Sequence, residues 1–153
     1  MHDRVIAGAT VVDGTGAPGF VANVGIDGGR IARIATEPLD ARETIAADGM
    51  VVCPGFIDIH THYDAQLLWD PTASPSPWHG VTTVLGGNCG FSIAPLAADD
   101  AEYVKQMMTR VEGMTLAALE GGGEWDWLGF GDYLARLDGK VAVNAGFLAG
   151  HST

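Results

Sequence analysis

Positive charge is scarce in this 153-residue sequence: eight Lys and Arg stand against nineteen Asp and Glu, for a formal net charge of −11. A chain this acidic repels phosphate backbones and anionic membrane surfaces, so nucleic acid is excluded as an expected partner. Cysteine is scarcer still. Cys53 and Cys89 stand too far apart for a CxxC redox or zinc-ribbon motif and are too few for a disulfide scaffold, which fits reduced thiols and a cytoplasmic location. No apolar run approaches the roughly 18 residues of a membrane span. Met1-His2-Asp3-Arg4 opens without a sustained apolar region and small-residue cleavage site, so neither a membrane nor a signal peptide is expected. Charged residues make up 18% against 47% hydrophobic, which excludes a disordered segment and leaves ample material for a core. The length falls short of a complete (β/α)₈ barrel, which needs roughly 250 residues. Glycine, by contrast, is abundant at 22 residues, about twice the usual share.

Residues 4–13 are rich in β-branched side chains and run into Gly14-Thr15-Gly16-Ala17-Pro18-Gly19, so a strand followed by a turn is expected. Residues 21–26 and 30–34 flank Asp27-Gly28-Gly29, a short hairpin signal. Residues 44–47 and 50–52 around Asp48-Gly49 repeat that pattern, and the first 53 residues read as a small, mostly antiparallel β unit. The character changes at Cys53-Pro54-Gly55, where a domain boundary is placed. Phe56-Ile57-Asp58-Ile59 suits a strand buried on both faces, residues 81–85 a second and residues 141–148 a third. Between them, residues 71–79 read as loop. Residues 99–112 read as an amphipathic helix buried through Tyr103, Val104, Met107, Met108 and Val111, residues 120–124 as a flexible loop and residues 130–137 as a short helix. Strands alternating with helices imply βα units. Trp125 and Trp127 read as packing anchors, His79 as a surface or packing residue, and His2 as a disordered end.

The chemistry gathers at Asp58-Ile59-His60-Thr61-His62. Side chains on a strand repeat every two residues, so His60 and His62 would point the same way and could grip one metal ion; coincidence is the competing reading. Cys89, in Gly86-Gly87-Asn88-Cys89-Gly90 after the second strand, would emerge at the same edge as a thiolate ligand, or else serve as a small buried hydrophobe. Cys53, in an apolar run, fits the buried role.

Pro54-Gly55-Phe56-Ile57-Asp58-Ile59-His60-Thr61-His62-Tyr63-Asp64, preceded by a β unit, resembles the amidohydrolase superfamily: a small β-sandwich leading into a metal-dependent (β/α)₈ barrel. Gly80-Val81-Thr82-Thr83-Val84 with Gly87-Asn88-Cys89-Gly90-Phe91-Ser92 is similar to the N-acyl-D-amino-acid deacylases, or D-aminoacylases, which place a zinc-ligating cysteine there. The resemblance runs over essentially the whole chain. It implies a mixed β and α/β fold, with a β-sandwich over residues 1–53 and an incomplete TIM barrel over residues 54–153 that stops after about the third strand. It also implies zinc as the metal, with His60 and His62 serving one metal position and Cys89 helping to hold the tightly bound ion. Tyr63 and Asp64 follow on the loop where substrate would arrive, either binding substrate or supporting the ligands, or else simply forming a turn. Two further histidines and the catalytic aspartate would lie beyond Thr153, and His151 would be a pocket residue or a structural hydrogen-bonding one.

The implied activity is zinc-dependent hydrolysis of the linear amide of an N-acyl-D-amino acid, with this chain inactive alone. Two alternatives stand beside it: a cyclic-amide hydrolase of the dihydroorotase type, in which Cys89 would be dispensable, and a non-catalytic metal-binding or interaction module if 153 residues is the natural chain.

Overall fold

A computed structural model describes residues 1–97 and 99–150. The chain divides into two compact units, Met1–Pro54 and Gly55–Thr153.

The first unit is a five-stranded sheet of β1 (His2–Val11), β2 (Phe20–Asp27), β3 (Arg30–Ala35), β4 (Ala41–Ala46) and β5 (Val51–Val52). The order is β3-β2-β1-β4, with β5 also on β1. Asp27-Gly28-Gly29 makes the expected antiparallel hairpin between β2 and β3. Asp48-Gly49 does not make the second one: β4 pairs parallel with the first half of β1 and β5 pairs parallel with its end. The turn closes through Met50 N–H on Ala47 O (2.9 Å) and returns the chain to the edge it left. It does so opposite an irregularity in β1, where Gly8 has φ +76° and a Cβ would sit 2.5 Å from Asp48 Oδ1. The turn chemistry was legible, but the partner strand was not, because a long-range register outweighed the local hairpin preference. Val11, Ala22 and Val24 form the core, and the described strands make one sheet rather than the two layers of a sandwich. Cys53 is exposed, not buried, because it follows a two-residue edge strand. His2 is ordered in β1 with Nδ1 2.8 Å from Asp27 Oδ2.

The second unit holds three parallel strands, β6 (Phe56–Asp58), β7 (Val81–Gly86) and β8 (Asn144–Phe147), in sequence order. The sheet is open, and no closed barrel is formed by the described residues. Among the described residues, three α-helices lie between β7 and β8: α1 (Ala101–Val111), α2 (Leu116–Gly121) and α3 (Phe130–Leu137). The expected burial of the first strand is not met, with Ile57 63% and Ile59 70% exposed. β6 is an edge strand, and apolar composition alone cannot distinguish an edge from a centre. In α1, Val104 and Met108 carry the burial, whereas Tyr103 and Val111 of the i, i+4, i+8 stripe face outward. Residues 120–124 are not wholly loop either: α2 runs through Gly121, started by Thr115, whose side chain accepts from Ala118 N–H. The core joins Leu67, Val84, Ile93, Met108, Leu119, Trp127 and Tyr133, with Trp127 Nε1 donating to Ile93 O at 2.8 Å. Among the described residues no helix is long and apolar enough to cross a membrane.

The loop after β6 is fixed by Asp70, whose carboxylate accepts from Thr72, from the backbone and hydroxyl of Ser74, and from Gln66. Burial alone would raise its pKa, but these hydrogen bonds outweigh it and hold the group well below the usual carboxylate range. A depressed folded-state pKa gives stability that is present above the unfolded value of about 3.9 and lost as pH falls below it. Asp70→Asn should therefore lower stability at pH 7, and urea melts should show the deficit shrinking as pH drops below about 4.

Candidate metal centre

β6 ends at Asp58, whose Oδ1 accepts from His60 N–H at 3.1 Å and turns the chain out of the strand. Thr61 turns it back: its N–H and its hydroxyl both donate to Leu85 O on β7, at 2.9 and 2.7 Å. With Thr61 buried against β7, His60 and His62 on either side of it bring their rings to 5.4 Å. The two histidines therefore stand just past the strand rather than on it. Their juxtaposition is set by the Thr61 anchor, not by strand periodicity.

Cys89 arrives from the end of β7. Gly87 adopts φ +78°, and a Cβ there would sit 2.2 Å from Leu148 O, so the loop requires glycine at this point. Asn88 is buried and its amide donates to Leu85 O (2.9 Å) and Thr61 O (3.1 Å), tying the cysteine loop to the histidine segment. Cys89 itself is left-handed at φ 59°, a conformation that L-residues rarely hold without a surrounding constraint. Its Sγ lies 3.3 Å from His60 Nε2, and one ligand atom from each of His60, His62 and Cys89 falls within 4.8 Å of the others. Asn88→Ala removes both ties and leaves a buried carbonyl short of a donor, so it should cost about 1–3 kcal/mol in denaturant unfolding and loosen metal binding by the same chain.

Asp64 and Tyr63 follow the histidines. Asp64 is 1% exposed, with Oδ2 accepting from Gly87 N–H at 2.9 Å, so its carboxylate props the cysteine loop from beneath. Burial raises its pKa, against the pull of that hydrogen bond. Tyr63 pairs its hydroxyl with Ser76 Oγ at 2.7 Å. Three contributors carried no local signal: Thr61 and Asn88, read only as motif neighbours, and Glu112 at the end of α1, whose Oε1 lies 3.1 Å from His62 Nδ1. His151 lies outside the described residues.

This donor set fits zinc, which takes imidazole nitrogen and thiolate sulfur. Two such ligands on one tetrahedral ion stand about 3.6 Å apart, given bonds of about 2.1 and 2.3 Å. The His60–Cys89 separation of 3.3 Å is close to that edge.

A family model described as amidohydrolase family matches residues 43–153. The chain is 41% identical to a D-aminoacylase of Alcaligenes xylosoxydans xylosoxydans, over 99% of this chain and 29% of that protein. It is 36% identical to an N-acyl-D-aspartate deacylase of the same organism, over 99% and 28%. Among solved structures, a D-aminoacylase studied for its binuclear metal centre superposes with TM-score 0.79 at 42% identity, covering 100% of this chain and 30% of that one. An N-acyl-D-glutamate deacylase from Bordetella bronchiseptica, complexed with zinc and a phosphonate mimic of the tetrahedral intermediate, gives 0.74 at 37%, covering 98% and 30%. The chain thus spans about 30% of the length of these relatives.

Proposed function

Because the chain belongs to the amidohydrolase family, we propose that it supplies the first part of a zinc-dependent hydrolase that cleaves the linear amide of N-acyl-D-amino acids, releasing a carboxylate and the free D-amino acid. The observation that carries this reading is the convergence of His60, His62 and Cys89 within 4.8 Å, a mixed nitrogen and sulfur donor set at the ends of parallel strands. When bound, zinc supplies Lewis-acid polarisation of the amide carbonyl and activation of water for attack.

The residues of this chain hold that centre in place. Cys89 contributes the thiolate that binds the metal and offsets its charge, and a reducing cytoplasm keeps the thiol available. Asn88 and Thr61 fix the spacing between the cysteine loop and the histidines. Asp64 Oδ2 and the Tyr63 hydroxyl, which engage Gly87 and Ser76, support the loops around the centre. By the family resemblance, the remaining ligands and the proton-transferring aspartate would lie beyond Thr153.

The test uses the zinc-loaded protein that carries this chain, offered N-acyl-D-amino acids, their L-enantiomers and the cyclic amide dihydroorotate. Release of amino acid from the D-substrates alone is expected, with no turnover by the 153-residue chain in isolation. Cleavage of the cyclic amide in preference to the linear one would overturn the assignment.

A further inference from the structure

We propose that Glu112 is a positioning residue for the metal centre, fixing His62 in the tautomer that presents Nε2 to the ion. The inference rests on the metal-site reading above.

Glu112 closes α1, where the unsatisfied carbonyls make the helix end negative, and a carboxylate at that end is unfavourable unless something offsets it. Its side chain is only 10% exposed, so solvent does little of that work. What faces it is His62 Nδ1, 3.1 Å from Oε1, in a charge contact rather than an aligned hydrogen bond, with the buried Asp64 carboxylate close enough to repel it; no other ion pair of this carboxylate is found among the described residues. A residue placed against its local preference and against its own solvation marks a functional constraint.

The chemistry of imidazole turns that contact into a role. A neutral ring has one N–H and one lone pair, so a carboxylate at Nδ1 favours the tautomer with the proton there and the lone pair on Nε2. Nε2 is then the atom left to ligate. The carboxylate also raises the basicity of the ligating nitrogen, and loss of such an outer partner typically costs about 10- to 100-fold in metal affinity. His60 shows the complementary arrangement, with its Nε2 already turned to Cys89 Sγ.

The experiment measures zinc affinity of the protein that carries this chain by chelator competition for wild type, Glu112→Ala and Glu112→Gln, with the melting temperature of each metal-free form and ¹⁵N NMR of the histidine rings in the zinc-loaded state. The expected result is a loss of about 10- to 100-fold for Glu112→Ala and a smaller loss for Glu112→Gln, which keeps a carbonyl acceptor. Metal-free melting should be nearly unchanged, and His62 should be bound through Nε2. Unchanged affinity in Glu112→Ala, ligation through Nδ1, or a loss explained by a collapsed melting temperature would each overturn the positioning role while leaving the metal site standing. Failure of the wild-type protein that carries this chain to bind zinc at all would overturn the metal-site reading itself.

Discussion

Cys89→Ala should reduce zinc affinity of the chain by more than about a hundredfold, exceeding the range seen when only an outer-shell partner is lost. The thiolate is the only anionic donor among the three clustered side chains and the only sulfur, so the two imidazoles left behind make an incomplete site. Folding should survive, because Cys89 is exposed and its side chain fills no core. A companion variant sharpens the point. At φ 59° a β-carbon is strained, and Cys89→Gly should stabilise the metal-free chain by up to about 1 kcal/mol while removing zinc binding just as completely. Gain of stability with loss of the ligand is the signature of a residue retained for its chemistry. If both variants keep wild-type zinc affinity, Cys89 is not a ligand and the likeness to cysteine-using deacylases misleads at this position.

The largest effect on stability is expected at Tyr133. It is fully buried on α3, its ring meets Phe147 edge-on at 5.1 Å and lies 5.5 Å from Trp127, and its hydroxyl donates to Asp64 O at 2.9 Å. Burial, reinforced by the charge of Asp64, pushes the phenol pKa far up, so the group remains a neutral donor throughout the usable pH range. Tyr133→Ala should cost about 3–5 kcal/mol from the lost ring and the cavity it leaves. Tyr133→Phe keeps the packing and leaves the Asp64 carbonyl without its donor, for about 1–3 kcal/mol. Urea unfolding of the two variants separates the contributions. A Phe variant as stable as wild type would mean that the bond to Asp64 holds nothing.

What could be read in the sequence, and what could not, divides along physical lines. The parallel strands β6, β7 and β8 and the helix α3 were legible because apolar runs and helical spacing are local. The His60–His62 pair and Cys89 were legible because a short motif carries its own chemistry. Edge against centre was not: Phe56, Ile57 and Ile59 have the composition of a buried strand, yet β6 has a neighbour on one side only among the described residues. Nor was the destination of the chain after Asp48-Gly49, since a turn sequence does not say whether the chain reverses into a hairpin or resumes its direction on the same neighbour, as it does here beside β1. The site divides the same way. Its candidate ligands announce themselves by type, whereas Thr61, Asn88 and Glu112 act through a hydroxyl, an amide and a carboxylate common to any surface, and only their partners give them meaning.

The most direct test of the metal centre is zinc X-ray absorption spectroscopy on the chain loaded with one equivalent of the ion. The structure leads to a shell containing one sulfur at about 2.3 Å and nitrogens at about 2.0–2.1 Å, with the sulfur lost in Cys89→Ala. A wild-type shell of nitrogen and oxygen alone would contradict the account, since it would leave Cys89 outside the site.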